Sequence, residues 1–236
     1  DIHESVPGEA NTGDAKTTRG SRAADTTANI SVADAPRKVN RGVSALFAGY
    51  EHAHGLFEIK RSSDKGKKEG KALTVKEPLT LEKWQAHLDG TGPGVGVIPL
   101  LVDNTVRWGC IDIDVYGVDH NALEAEARAL DLPLVIARSK SGGAHAFLFL
   151  SERVSAAEVR HKLKAWAAAL GHRGCEVFPK QTKRDQDEDL GNWLNMPYYT
   201  AERTARYAIK DGEPLSLEEF VAYANERQVT AQDLKA

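Results

Sequence analysis

Residues 105 to 178 read as strand, helix, strand, strand, helix, strand, and this succession constrains the fold more than any other feature of the chain. Thr105 to Val115 is a run of residues that belong in a buried strand. Asp119 to Leu130 puts Leu123, Ala127 and Leu130 on one helical face, with Asp119 as N-cap. Pro133 opens a second strand, Leu134 to Arg138, and a third, Ala144 to Leu150, follows the turn Ser139-Lys-Ser-Gly-Gly143 as a hairpin. The second helix starts at Ser155, where Ser-x-x-Glu158 reads as a capping box; Val159, Leu163, Trp166 and Leu170 form its apolar stripe and Gly171 ends it. Cys175 to Phe178 is the fourth strand.

The order is that of the split βαβ, RRM-like sheet, so the fold class is α+β: a βαββαβ core with an N-terminal α/β extension. Right-handed crossovers place the first strand in the middle, flanked by the third and fourth, both antiparallel to it. Asp112 and Asp114 lie near the C-terminal end of that central strand, His145 starts the third and Glu176 starts the fourth. At spacing two the aspartates share a face, and paired carboxylates are best relieved by a hard divalent cation such as magnesium or manganese. Taken singly, the Asp-x-Asp also suits a solvated edge strand, His145 a satisfied core histidine and Glu176 a surface acid. Their convergence from separate elements argues for a joint site.

Two divalent ions held by such carboxylates activate a hydroxyl and neutralise a leaving pyrophosphate, the chemistry of nucleotidyl transfer. In the turn before His145, glycines admit backbone N–H groups to phosphate oxygens, Ser141 adds a hydroxyl, and Lys140 or Arg138 adds positive charge. A Gly-Gly turn is also how any hairpin closes.

These residues resemble the archaeo-eukaryotic primase superfamily, in particular the primase-polymerases of phages, plasmids and mobile defence systems. Ile111-Asp-Ile-Asp114 is similar to its acid-x-acid motif, Ser141-Gly-Gly-Ala-His145 to its Ser-x-His motif, and Glu176 in Cys175-Glu-Val-Phe-Pro-Lys-Gln181 to its third acid, which in many members is Asp. Leu190 to Tyr199 resembles the segment that follows. The resemblance implies a DNA primase or polymerase using nucleoside triphosphates in the replication of a phage, plasmid or other mobile element. By it, Asp112, Asp114 and Glu176 hold two Mg2+ or Mn2+ ions, and Ser141, His145 and Lys180 hold phosphates. Asn192, with Trp193 and Asn195, frames the sugar or template. The implied partners are a single-stranded or primed DNA template and a helicase or further domain of a larger replication protein.

A net charge of −3 excludes a protein that coats nucleic acid by bulk charge. Positive charge is local instead: Arg61, Lys65, Lys67, Lys68 and Lys71 fall between strand-like Leu56 to Ile59 and Ala72 to Val75, as a solvated loop or a hairpin tip on a template backbone. Asp185, Asp187, Glu188 and Asp189 read as a solvated acidic loop rather than a metal site. With only Cys110 and Cys175 there is no disulfide framework and no cysteine-rich zinc site, and the expected compartment is the cytoplasm. No apolar run reaches a membrane span. Residues 1–40, poor in large apolar side chains, read as a disordered tail or linker, and residues 41–236 as the catalytic domain. Thr80 to Leu88 is expected as a helix, Gly94 to Val102 as a strand paired to Thr105 to Val115 through Asp103-Asn104, and Ser216-Leu-Glu-Glu219 as a second capping box opening a helix that buries Phe220 and Tyr223.

Two other classes compete. One is a silent RRM-like nucleic-acid-binding module, which would show aromatics where this strand has Asp112 and Asp114. The other is a rolling-circle-type metal-dependent nuclease, suggested by His52-Ala-His54 with Tyr223 as its only fair catalytic tyrosine.

Overall fold

The computed structural model describes residues 35–59, 70–184 and 190–235. In chain order the elements are helix α1 (Ala35–Leu46), strands β1 (His54–Ile59) and β2 (Gly70–Val75), helix α2 (Leu81–Asp89), strands β3 (Gly94–Val97) and β4 (Thr105–Ile113), helix α3 (His120–Ala129), strands β5 (Leu134–Arg138) and β6 (Ala144–Ser155), helix α4 (Ala156–Ala169), strands β7 (Glu176–Phe178), β8 (Leu194–Asn195), β9 (Ile209–Lys210) and β10 (Glu213–Pro214), and helix α5 (Leu217–Glu226). One four-stranded sheet has the order β5-β6-β4-β7, with β4 antiparallel to both neighbours, as the crossover rule requires. A second has the order β2-β1-β3-β8.

The apolar faces of β4 sort the core in two. Ile111 and Ile113 pack under α3 and α4 with Leu123, Val159 and Leu163. Trp108 and Cys110 alternate onto the other face with Phe147, Phe149 and Phe178, beneath Val43 and Phe47 of the α1 segment, Trp84 of α2 and Phe220 of α5. Phe47 is the hinge pin of that cluster, meeting Trp108, Phe147 and Phe149 edge-on with centroids 5.2–5.3 Å apart. The aromatics of this sheet face are therefore buried, which removes the base-stacking platform that a silent RRM-like module would need.

Four expectations change. Gly94 to Val102 does not pair with β4: β3 stops at Val97 and joins β1 and β8 in the second sheet, because Pro99 has no N–H for a ladder, and a turn closed by Leu101 N–H to Thr105 O leads into β4. Ser155 makes no side-chain cap; it is the last residue of β6, which runs directly into α4, and the Ala156 N–H donates to the Asn104 carbonyl. Leu130 is the C-cap of α3 and largely exposed rather than part of its apolar face. Helix α1 begins at Ala35, before the expected domain start at residue 41; Asn40 is buried, its amide donating to Leu81 O at 3.0 Å. The rest of the expected tail, most of the basic loop (Arg61, Lys65, Lys67, Lys68) and the acidic loop (Asp185, Asp187, Glu188, Asp189) lie outside the described residues. The Ser216–Glu219 capping box forms in both directions. Among the described residues no helix is long and apolar enough to cross a membrane.

His87 of α2 ties three segments together. Its ring is buried, accepts the Val95 N–H at Nδ1 (3.0 Å) and donates from Nε2 to Pro197 O (2.8 Å), which requires the neutral tautomer. Burial pushes its pKa down to about 4. The unfolded chain therefore binds a proton near pH 6.5 that the folded chain refuses. The stabilisation is complete above pH 6.5 and is lost as the pH falls toward 4, up to about 3 kcal/mol. Urea titrations at pH 7.5 and 4.5 should show this fall in wild type and a smaller one in His87→Asn.

Candidate active site

Strands β7, β4 and β6 set Glu176, Asp112 and His145 directly opposite one another in register, so the three share one sheet face. That face is the aromatic one, and Asp112 stands where the cluster gives way to solvent. His145 Nε2 lies 3.4 Å from Asp112 Oδ1, with the two side chains 8% and 21% exposed. The imidazole also sits edge-on to Phe147 at 5.5 Å, which fixes its plane. Glu176 is 62% exposed, and Lys180 Nζ holds its carboxylate at 2.5 Å.

Asp114 lies just past the end of β4, where the glycine turn meets it: Ser141 Oγ donates to Asp114 Oδ1 at 2.9 Å, and the Ser139 and Ser141 hydroxyls are 3.1 Å apart. The turn is closed by Ser139 N–H to Gly143 O (2.9 Å) and passes through Gly142 at φ 90°. Gly143 is needed for a steric reason, since a Cβ there would lie 2.2 Å from Ile113 O. Its carbonyl also accepts from Nε2 of buried His120 at 2.8 Å, so the first turn of α3 anchors the loop. Asp119 caps α3 through the Asn121 and Ala122 N–H groups and thereby positions His120.

Asp112, Asp114 and Glu176 line one open cleft of about 540 Å³ with Val115 and the segment from Gly171 to Cys175. The structure thus brings together Asp112, Asp114, Ser141, His145, Glu176 and Lys180. Two expected site residues stand elsewhere. Arg138 alternates onto the face opposite Ala137 and His145, and its guanidinium lies 5.7 Å from the Tyr207 ring. Asn192 is exposed, its N–H bonded to Gln181 Oε1 at 3.1 Å, beside a Trp193 that lies across Gly55 and Gly96 of the second sheet and donates to Thr74. Asn195 pairs with Gly96 in that same sheet. His54 is buried with its Nδ1 on Glu77 O, and Tyr223 carries Lys210 over its ring, so neither has the setting the nuclease reading needs.

Sequence reasoning missed a second, cationic cleft of about 580 Å³, lined by Lys140, Arg203 and Arg206 with Phe57 and Tyr199. Lys140 Nζ sits 3.0 Å from the Phe57 ring centroid, and Arg206, 7% exposed, lies over Tyr199 and donates to Met196 O. Burial, and then the Arg206 charge, lower the Lys140 pKa; burial lowers that of Arg206. Like charges gathered without a carboxylate in the lining suit an anion. No short motif marks Arg206, which arrives from far along the chain.

The carboxylate oxygens of Asp112, Asp114 and Glu176 are the hard donors of the first cleft, whose lining also holds His172 and Cys175. Burial, followed by the Asp112 charge, pushes the Cys110 and Cys175 thiols up. Among the described residues no three acid, histidine or cysteine side chains already enclose a common point as ligands of a bound metal would. The donor chemistry of Asp112 and Asp114 nonetheless fits a hard divalent cation, with Glu176 added once it leaves Lys180.

A family model, the archaeo-eukaryotic primase domain of the TOTE conflict system, matches residues 49–212. The chain belongs to this primase family. The match spans both clefts of the primase domain and ends before α5. Similar solved structures include the primase domain of the cyanophage S-2L primase-polymerase, at 13% identity and TM-score 0.43, covering 80% of this chain and 97% of that one. Primase RepB′ aligns at 9% identity and TM-score 0.38, covering 85% and 63%. The catalytic domain of RepB′ with initiator DNA aligns at 8% and 0.37, covering 85% and 95%. No curated protein matches.

Proposed function

We propose that this primase-family domain catalyses template-directed nucleotidyl transfer from nucleoside triphosphates, as a DNA primase-polymerase of a mobile or defensive genetic element. The observation that carries the reading is the single register row Glu176–Asp112–His145, with Asp114 tied to the phosphate-type loop through Ser141. Asp112 and Asp114 would hold two Mg2+ or Mn2+ ions, with Glu176, and such ions supply activation of a 3′ hydroxyl and neutralisation of the leaving pyrophosphate. His145 and Ser141 orient the phosphates at the end of β4, in a turn that the Gly142 N–H closes by donating to Ser139 O at 3.2 Å. The Lys140–Arg206 cleft is the cationic surface next to that turn and is the better candidate than Arg138 for the triphosphate charge. Lys180 holds Glu176 in place until a cation replaces it. The template is single-stranded or primed DNA.

Incubation with a primed template, nucleotides and manganese tests the reading: primer extension is expected. Nicking of a hairpin without extension would mean a nuclease, and neither product a binding module. Glu176→Gln keeps size and one oxygen but removes charge, so extension in limiting magnesium should fall about 100-fold and recover in part at high manganese, which binds such ligands more tightly. Wild-type activity of this variant in limiting magnesium would exclude Glu176 as a ligand.

A further inference from the structure

Helix α4 carries a basic row that neither cleft uses. Arg160 and Lys164 stand one turn apart on one flank of α4, which ends at Ala169, and Gly171 at φ 75° turns the chain out of the helix into His172 and Arg173. His172 and Arg173 are walls of the cleft that holds Asp112, Asp114 and Glu176. On the opposite flank Lys162 lines a small cavity of about 180 Å³ together with Ala231, Leu234 and Lys235, and Trp166 packs against the core. Among the described residues Arg160, Lys164 and Arg173 have no carboxylate partner, and Glu158, the one acid of α4, faces Lys235 at 3.8 Å. The Arg160 Nε is buried without a hydrogen-bond partner. In a chain of net charge −3, an unneutralised row of this kind does not follow from overall basicity.

The lip of the same cleft adds an aromatic. Val115 is 47% and Tyr116 89% exposed, in the turn that follows the two aspartates. Cations that track a backbone, beside an aromatic ring with a free face, are how proteins hold single-stranded nucleic acid without reading its sequence. We propose that the Arg160–Lys164–Arg173 flank is a single-strand track: it holds the phosphates of a nucleic-acid strand, Tyr116 stacks on one of its bases, and the strand is led into the carboxylate cleft. The track rests on the nucleotidyl-transfer reading for what happens at its end, but its existence is a matter of binding alone.

Fluorescence anisotropy with a labelled oligothymidylate, without metal or nucleotide, tests it. The triple variant Arg160→Gln, Lys164→Gln, Arg173→Gln should bind at least about ten-fold more weakly at low salt, and the slope of log affinity against log salt should drop by about 2. Tyr116→Ala should weaken binding about five-fold or more and Tyr116→Trp should restore it, while Lys162→Gln on the opposite flank should change nothing. A wild-type chain that does not bind the oligonucleotide, or a triple variant with the wild-type slope, overturns the track. If the triple variant does not fold, as judged by circular dichroism, the exposed Lys164→Glu alone must lower affinity and slope, or the proposal fails. Binding with the expected slopes but no primer extension would refute the catalytic reading and leave the track standing.

Discussion

Nucleotide incorporation is expected to fall by about 1000-fold or more when Asp112 and Asp114 are both replaced by Ala, with the fold retained. The two side chains line the cleft rather than the core, and among the described residues neither receives a hydrogen bond on which an element depends; Asp114 accepts from the exposed Ser141. Removing both charges also removes their mutual repulsion, so the melting temperature in chelator should be unchanged or slightly raised. Incorporation of a labelled nucleotide on a primed template and a thermal melt on the same preparation read the two halves of this expectation. Extension by the double variant at the wild-type rate would falsify the mechanism.

Gly143→Ala should damage both the fold and the site, although alanine is the smallest possible change. Its Cβ would stand 2.2 Å from the Ile113 carbonyl, a backbone atom that cannot turn aside as a flexible side chain could. The hairpin turn must lift away from the end of β4. That lift strains the Gly143 carbonyl's bonds to Ser139 N–H and His120 Nε2 and draws Ser141 from Asp114. A loss of about 2–4 kcal/mol in urea unfolding is expected, from backbone strain with broken buried hydrogen bonds, together with a weaker apparent affinity for nucleotide. Gly142→Ala is the informative comparison: nothing lies within 4 Å of its Cβ position, so only the cost of φ 90° remains, and its effect should be smaller. Equal effects of the two changes would show that the turn, and not the close approach to β4, sets the requirement.

The βαββαβ core was legible because each of its elements carries its own local signal. Asp119 caps α3 as its side chain implies, β5 spans Leu134–Arg138 as expected, and β4 lies between β6 and β7 because chain order and crossover handedness leave little else. From that order alone Asp112, His145 and Glu176 become neighbours. Ser155 and Ser216 show the limit of local reasoning. Both begin a Ser-x-x-Glu pattern, yet only Ser216 forms the box; Ser155 is instead the last residue of β6, held in register with Thr105.

The sequence by itself therefore determined the elements of the core sheet, their order, and the acids at the end of its central strand, since periodicity, capping and connection handedness are properties of neighbouring residues. Tertiary structure alone decided which sheet receives β3, what covers Trp108, Phe147 and Phe149, and that Lys140 meets Arg206 beside Phe57. An apolar run such as Gly94 to Leu101 specifies that it will be buried, whichever partner buries it. A buried arginine or an aromatic cover is chosen by long-range packing, in which the free energy comes from residues with no fixed separation along the chain.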